Sequence, residues 1–305
     1  MIPTEFDYKR ASSLDEAIAL LNGSNGEGKF LAGGHSLIPL MKLRLSEPGL
    51  LIDISRIEQL KGISEKDGKI QIGAGTTHAE VAASDLIRRL CPVVAECAGE
   101  IGDPQVRNRG TMGGSLAHSD PSADYPAVIV ALDAEIHVKG SGGWRTVKAP
   151  DFFQGMFTVD LAEDEIIAGV QFAPVKTAAY VKLHQRASHY AIVGVAAVLE
   201  MDGRICRSAR IGLTGASTHA QRLSGVEAAL VGKELTQANI DAAAAIAADG
   251  LDDVNSDIHA SEAYRRAMVK VFTRRAIEKA AGRWQPPSLS ARPASRRAPR
   301  QSHRD

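Results

Sequence analysis

The spacing of apolar residues in the first hundred positions predicts short helices and strands in close succession. Ser13 and Glu16 have the spacing of a capping box, and the apolar helical stripe behind them ends at Gly23. A short helix is expected at residues 37–43, and helical periodicity returns from about residue 78 to 98. Short apolar runs predict strands at residues 29–31, 50–54 and 69–72.

A long polar segment separates these elements from the middle of the chain. Residues 102–124 are rich in Gly, Ser, Asp, Asn and Pro, and a loop of that length is too long for an idle turn. We therefore expect this loop to bind a ligand. Beyond this loop, apolar runs predict a hairpin formed by residues 134–138 and 144–147 and a further strand at residues 166–172. A domain boundary is expected near residue 175.

The second part of the chain is expected to form an antiparallel sheet followed by helices, which makes the whole an α+β fold. Asp202 and Gly203 are predicted to be the two-residue turn of a hairpin. The predicted strands are residues 180–183, 191–201 and 204–213, and the predicted helices are residues 223–230, 238–248 and 261–280. Residues 283–305, rich in Pro, Ser and Arg, predict a disordered tail.

The composition argues against several classes of function. The chain has 305 residues, enough for two or three domains, and its 36 Lys and Arg balance 36 Asp and Glu. That balance removes the electrostatic basis for binding nucleic acid. The longest uncharged apolar stretches, 190–199 and 242–248, reach about half of the roughly 20 residues of a membrane-spanning helix. No apolar signal segment begins the chain, so a cytoplasmic location is expected.

The cysteine and histidine residues do not have the spacing of a metal site. No CxxC pair is present, so we expect no iron–sulfur cluster in this chain. The three cysteines are expected to be reduced packing residues: Cys91, Cys97 and Cys206. The histidines of the glycine loops also lack metal-ligand spacing; they are His35, His78 and His118. Asp103, Asp120 and Asp124 share one loop and are explained more simply by a cofactor than by a metal.

The first candidate for chemistry is the glycine turn Ala32-Gly33-Gly34-His35-Ser36. Adjacent glycines after a strand let the backbone approach a ligand closely, and the amides at the following helix start suit an anion. The spacing is neither that of a Rossmann motif nor that of a P-loop. The turn by itself is therefore compatible with a phosphate loop or with an ordinary tight turn.

A second glycine pair lies in Thr111-Met112-Gly113-Gly114-Ser115. Two such loops are suited to holding the two halves of a pyrophosphate by backbone amides and hydroxyl groups, without many basic side chains. Asp120 and Asp124 follow this loop. They are either part of the same site or N-caps of the helix that runs through residues 127–132.

Three segments together resemble a known family. AGGHSLIPLMKLR, IGAGTTH and IGDPQVRNRGTMGGSLAHSDPSADYPA occur in this order, and the resemblance extends from residue 1 to about 281. The chain resembles the FAD-binding medium subunit of molybdenum hydroxylases, nearest to the carbon monoxide dehydrogenase type. This resemblance implies a two-part FAD-binding domain of the vanillyl-alcohol-oxidase (PCMH) type at 1–175, with subdomains at about 1–57 and 58–175. A smaller domain with a three-stranded antiparallel sheet and helices is expected at 176–282.

The resemblance also implies which residues bind FAD. The loop from Ala32 to Leu37 and the loop from Thr111 to Ser115 would hold the pyrophosphate, and Asp124 the ribose or adenosine part. Ser115 stands where many relatives have Asn. The expected cofactor-binding residues are Lys29, Ala32, Gly33, Gly34, His35, Ser36, Leu37, Thr111, Gly113, Gly114, Ser115, Asp124, Ile167, Lys182 and Tyr190. Tyr190 is expected beside the flavin ring. For both Lys182 and Tyr190 the alternative is an ordinary strand residue at a domain interface.

The function implied by the resemblance is electron transfer within a complex. Electrons would come from two [2Fe-2S] clusters of a small partner subunit and leave through FAD to an external acceptor, while a large molybdopterin subunit oxidises the substrate. A dimer of heterotrimers is implied, in the cytoplasm or peripheral to the inner face of the membrane, and no side chain of this chain need be catalytic. The alternatives are a self-standing FAD oxidase of the same superfamily and a cofactor-free scaffold.

Overall fold

The first sheet consists of three parallel strands in the order β1-β3-β2. The computed structural model describes residues 2–283, so the predicted tail lies outside the described residues except for Arg283. The elements of this part are β1 (Asp7–Arg10), α1 (Leu14–Asn22), β2 (Gly28–Leu31), α2 (Leu37–Lys42) and β3 (Leu50–Asp53). Ser13 caps α1 by accepting from the Glu16 amide, but the Glu16 carboxylate accepts from the Ser12 amide. In the predicted capping box the Glu16 side chain would accept from the Ser13 amide, so this second hydrogen bond is made one residue earlier than predicted.

The predicted helix at 78–98 is three helices. After a 3₁₀ turn at Glu58–Leu60 come β4 (Ile63–Lys66), β5 (Lys69–Gly73), α3 (His78–Ala83), α4 (Asp85–Leu90) and α5 (Pro92–Glu100). Ser84 ends α3 and caps α4, while Pro92 begins α5. Proline has no amide hydrogen and is favoured in the first turn, so it starts a new helix here.

The segment 102–124, predicted to be a loop, contains two short helices. They are α6 (Pro104–Arg107) and α7 (Met112–His118), and they are followed by α8 (Asp124–Ala131). Asp103 and Thr111 cap the two short helices by accepting from the amides of Val106 and Gly114. The glycine pair of α7 concealed that helix in the sequence, since glycine disfavours helix on propensity, and α6 is only four residues long.

A five-stranded antiparallel sheet, in the order β4-β5-β10-β6-β7, completes the first part of the chain. Its remaining elements are β6 (Glu135–Gly140), β7 (Gly143–Lys148), α9 (Ala149–Phe152), β8 (Phe153–Gly155), β9 (Thr158–Val159) and β10 (Ile166–Phe172). The pair β8 and β9 forms a separate small hairpin.

The last sheet is an antiparallel meander of three long strands with a two-residue fourth strand at its edge. It contains β11 (Ala178–His184), β12 (Ala191–Asp202), β13 (Ile205–Thr214) and β14 (Gln221–Arg222), followed by α10 (Ser224–Leu230), α11 (Gln237–Ala245) and α12 (Glu262–Ala280). Asp202 pairs with Ile205, so the turn residues are Gly203 and Arg204, one position later than predicted. Gly203 has a φ of +59°, as such hairpin turns require.

The apolar core continues from the first part of the chain into the last sheet. All eight residues of α8 are buried, and this helix packs on β12 and β13. Tyr180, Ala196 and Val198 of the last sheet belong to the same apolar cluster as α8. The three cysteines are free and buried, as packing residues are. None of the described helices is both long enough and apolar enough to cross a bilayer.

Candidate functional site

A cavity of about 1170 Å³ lies where the turn after β2, the start of α7 and the loop between β11 and β12 meet. Its volume exceeds the roughly 300–1,000 Å³ of ordinary small-molecule sites, which suits a long cofactor. The expected site residues that line it are Lys29, Ala32, Gly33, Gly34, His35, Ser36, Leu37, Thr111, Gly113, Gly114, Ser115, Asp124, Ile167 and Tyr190. Lys182 does not line the cavity.

The two glycine loops are in direct contact with each other. A Cβ atom on Gly33 would lie 1.9 Å from the carbonyl oxygen of Arg109, which no side chain could tolerate. Gly34 has a φ of +76°, in the left-handed region that favours glycine. One glycine therefore permits the close approach of the loops, and the other turns the chain into α2.

The start of α2 offers backbone amides to the cavity. The amides of His35, Ser36 and Leu37 have no acceptor among residues 2–283, and the Ser36 side chain makes no capping bond. Amides at a helix start cannot be satisfied within the helix, so they are available to an anion. This is the part of the cavity best suited to phosphate.

The start of α7 differs, because its amides are already satisfied. Met112 donates to the carbonyl of Thr76 at 2.9 Å and Gly113 to that of Ala74 at 2.8 Å. Gly114 donates to Thr111 Oγ1 at 3.2 Å. The prediction that amides and hydroxyl groups of the two loops hold a pyrophosphate therefore rests, on the second loop, on a hydroxyl group and not on these three amides. The second loop offers the Ser115 hydroxyl, which lines the cavity and makes no hydrogen bond within the described chain.

Asp124 is buried at the inner wall of the cavity and is not an N-cap. Its carboxylate pairs with Lys182 Nζ at 2.9 Å and accepts from the Tyr180 hydroxyl at 2.5 Å. Burial raises the pKa of the Asp124 carboxyl to about 6, against the opposing effects of Lys182 and Tyr180. The N-cap of α8 is Ala123, and the Asp120 carboxylate accepts from the Ser122 amide instead. The capping alternative is therefore wrong for both aspartates.

Lys182 directs its ammonium group into the protein. Nζ donates to the carbonyl oxygens of Glu100 and His189, each at 2.7 Å, and to the Asp124 carboxylate. Only 2% of its side chain is exposed. This geometry favours the alternative of an interface residue for Lys182. Tyr190, in contrast, lines the cavity and is 45% exposed, and burial of its hydroxyl raises its pKa.

The lining residues that the sequence did not assign to the site include His78 and Arg109. His78 is 4% exposed at the start of α3, and its ring packs edge-on against Tyr125 at 5.2 Å between centroids. Burial, with smaller effects of His35 and Arg107, lowers the pKa of His78 to about 4, so its imidazole is neutral at pH 7. Arg109 lines the cavity beside Gly33. Both stand next to the glycines of the quoted segments, and that position was the available signal.

Two family models match nearly the whole described chain. Residues 4–174 match the FAD binding domain in molybdopterin dehydrogenase. Residues 178–280 match the CO dehydrogenase flavoprotein C-terminal domain. The first match spans both glycine loops, and the second begins at the first residue of β11.

Similar proteins cover the same length. The carbon monoxide dehydrogenase medium chain of Hydrogenophaga pseudoflava is 39% identical over 92% of this chain and 98% of that protein. The glyceraldehyde dehydrogenase medium chain of Sulfolobus acidocaldarius is 37% identical over 92% of this chain and all of that protein.

Solved structures agree with these matches. A carbon monoxide dehydrogenase from Hydrogenophaga pseudoflava superimposes with a TM-score of 0.90, covering 93% of this chain and 99% of that one. Quinoline 2-oxidoreductase from Pseudomonas putida 86 does so with a TM-score of 0.88 at 34% identity, covering 93% of this chain and 99% of that one. The chain therefore belongs to the flavoprotein family of the molybdopterin dehydrogenases, with an FAD-binding domain followed by a CO dehydrogenase flavoprotein C-terminal domain.

Proposed function

We propose that this oxidoreductase subunit carries FAD and transfers electrons within a molybdenum hydroxylase complex. The observation that carries the proposal is the cavity that begins at the free amides of α2 and extends past Ser115 to Tyr190. A site with one anion-binding end and a long remaining volume fits a dinucleotide cofactor. The family match to an FAD-binding domain supports the same assignment.

Each part of the cavity has a distinct task in this proposal. The amides of His35, Ser36 and Leu37 bind a phosphate group, and the Ser115 hydroxyl binds a second polar part of the cofactor. Tyr190 covers the cavity from the side of the last sheet. FAD, when bound, supplies a redox centre at which one-electron and two-electron carriers can exchange electrons.

The side chains of the site orient and shield the cofactor, and none acts as a covalent catalyst. Neutral His78 adds no charge beside the phosphate-binding end. Asp124 is neutralised by Lys182, so this wall carries no unpaired charge toward the cavity. The protein thus controls position and electrostatics, and the redox chemistry belongs to the cofactor.

The proposed partners are a large molybdopterin subunit and a small [2Fe-2S] subunit, assembled as a dimer of heterotrimers. Relatives of similar length are named for carbon monoxide, glyceraldehyde and caffeine dehydrogenases, at identities from 39% to 30%. Such different substrates on one kind of medium subunit support the proposal that the substrate is oxidised on another subunit. The external electron acceptor and the cytoplasmic location stay predictions.

The test is the visible absorption spectrum of the full chain, alone and co-expressed with the proposed large and small partner subunits, with acid release of the cofactor. We expect FAD that is bleached by the substrate of the complex only when the partners are present. Bleaching of the isolated chain by an organic substrate would support the self-standing oxidase instead. No flavin in either sample would overturn the proposal and leave the scaffold alternative.

A matched pair of variants ties this test to the cavity. Ser115→Ala removes a hydroxyl that lines the cavity and makes no bond within the described chain. Ser256→Ala removes an exposed hydroxyl outside the cavity. We expect Ser115→Ala to raise the dissociation constant of FAD about threefold to tenfold, the effect of one hydrogen bond, and Ser256→Ala to leave it unchanged.

A further inference from the structure

We propose that Lys182 is a positioning residue that ties the loop carrying Tyr190 to the FAD-binding domain. The loop is defined here as residues 185–190, between β11 and β12. Its relevance to electron transfer rests on the proposed function, because Tyr190 then covers the flavin site. The tie itself rests on the contacts of Lys182 alone.

The ammonium group of Lys182 joins three separate segments. It donates to the carbonyl oxygen of Glu100 at 2.7 Å, to Asp124 Oδ1 at 2.9 Å and to the carbonyl oxygen of His189 at 2.7 Å. Glu100 is the last residue of α5, and Asp124 is the first of α8. A helix C-terminus attracts a cation, so α5 adds to the attraction of the carboxylate. All three donors of the ammonium are used, and none remains for a ligand.

Burial makes this tie specific. The side chains of Lys182 and Asp124 are 2% and 4% exposed, and Tyr180 supplies a further hydrogen bond to the carboxylate. A buried ion pair adds little net stability, but it enforces one arrangement, because any other arrangement leaves a buried charge unpaired. The arrangement enforced here includes the His189 carbonyl, the residue directly before Tyr190.

The loop transmits the tie to Tyr190 because it is internally bonded. Gln185 donates its amide to the carbonyl of Tyr190 at 2.8 Å, and His189 donates to the carbonyl of Gln185 at 2.9 Å. On the far side of Tyr190, the Ala191 amide donates to the carbonyl of Ser122 at 3.2 Å. Tyr190 is thus held between two ties to the FAD-binding domain, and Lys182 supplies the first.

The test compares hydrogen exchange of the peptide covering residues 184–191 in the full chain for three variants. Lys182→Met removes the tie but leaves Asp124 unpaired, so it also threatens folding. The double variant Lys182→Met with Asp124→Asn removes that charge and still lacks the tie to His189. Lys233→Met is the control, because it deletes an exposed lysine of the same domain.

We expect the loop amides of the double variant to exchange at least tenfold faster than in the wild type, while amides of β12 and β13 keep their rates. In the assembled complex the double variant should alter the visible circular dichroism of the FAD that remains bound. Lys233→Met should change neither readout. Unchanged loop exchange in the double variant, with or without loss of FAD, would overturn the proposal. If the wild-type complex contained no FAD, the proposed function would be overturned, but the proposal for Lys182 would not. The hydrogen exchange of the loop is measured on this chain without FAD.

Discussion

At the scale of single residues, Gly33 decides whether the two halves of the site can meet. A Cβ at this position would lie 1.9 Å from the Arg109 carbonyl oxygen, so Gly33→Ala must push the loops apart. We expect it to lower the free energy of unfolding by about 1–3 kcal/mol, as overpacking does, in urea denaturation of the chain. Gly225→Ala in α10 meets no atom within 4 Å and should raise stability by about 0.5–1 kcal/mol. Equal shifts in both variants would contradict this account.

His78 makes the stability of the chain depend on pH. Its pKa is about 4 in the fold and about 6.5 in the unfolded chain, so the unfolded state binds more protons between these values. Stability contributed by the neutral imidazole is therefore present above pH 6.5 and is lost as pH falls. We expect His78 alone to lower the free energy of unfolding by about 2 kcal/mol between pH 8 and pH 5 in urea denaturation. The raised pKa of Asp124 acts in the opposite direction over the same range, so the contribution of His78 is the difference between the wild type and a variant without this ring.

The matched variants for this effect are His78→Gln and His259→Gln. His78→Gln removes the titrating ring, so on going from pH 8 to pH 5 it should lose about 2 kcal/mol less of its free energy of unfolding than the wild type does. His259 is exposed, and its replacement should leave the pH profile unchanged. A wild-type profile retained in His78→Gln would show that other groups cause the dependence.

At the scale of elements, α2 and α7 begin in opposite ways, although α2 directly follows the first glycine pair and α7 contains the second. Thr111 Oγ1 caps α7, whereas the Ser36 hydroxyl makes no capping bond on α2. We expect Thr111→Ala to lower the free energy of unfolding of the FAD-free chain by about 1 kcal/mol, and Thr111→Ser to retain most of it. Ser36→Ala should have no effect on the FAD-free chain. A loss in Ser36→Ala equal to that in Thr111→Ala would contradict the difference between the two helix starts.

The sequence predicted elements well where local signals decide structure. The helix α1 and the strands of the last sheet have strong apolar periodicity, and the structure confirms them. Ser84 and Pro92 are residues that typically begin a helix, and new helices begin there. The apolar pattern continues across both positions, so the pattern alone did not indicate where one helix ends and the next begins. The helix α7 carries a glycine pair that propensity reads as loop, and its stability comes from tertiary bonds to Ala74 and Thr76.

The sequence could predict which segments form the site, but not the direction and contacts of the individual side chains. Motif resemblance selected the two glycine loops, and both line the cavity. The direction of a side chain is set by distant partners, so the inward ammonium of Lys182 could not be read from the sequence. The same holds for the amides of Met112 and Gly113, whose acceptors lie more than thirty residues away in the chain.

At the scale of the whole molecule, α8 connects the FAD-binding part to the last sheet. Gly212 in β13 lies so close to α8 that a Cβ would be 2.0 Å from the Ala127 carbonyl oxygen. Residues of both parts belong to one apolar cluster around this helix. The other face of the last sheet packs with α10, α11 and α12 in a second apolar cluster. The cluster around α8, which both parts share, predicts that the two parts unfold together.

Gly212→Ala tests this coupling because it disturbs the contact of α8 with the last sheet. We expect overpacking to lower the free energy of unfolding by about 1–3 kcal/mol. The melting temperature of a single calorimetric transition should fall by about 2–4 °C per kcal/mol for a chain of this size. Hydrogen exchange in β5 and in β12 should accelerate together, because both report global unfolding. Gly225→Ala, in the same part of the chain but away from α8, should raise the transition instead. Acceleration in β12 alone would mean that the two parts unfold separately and that α8 does not couple them.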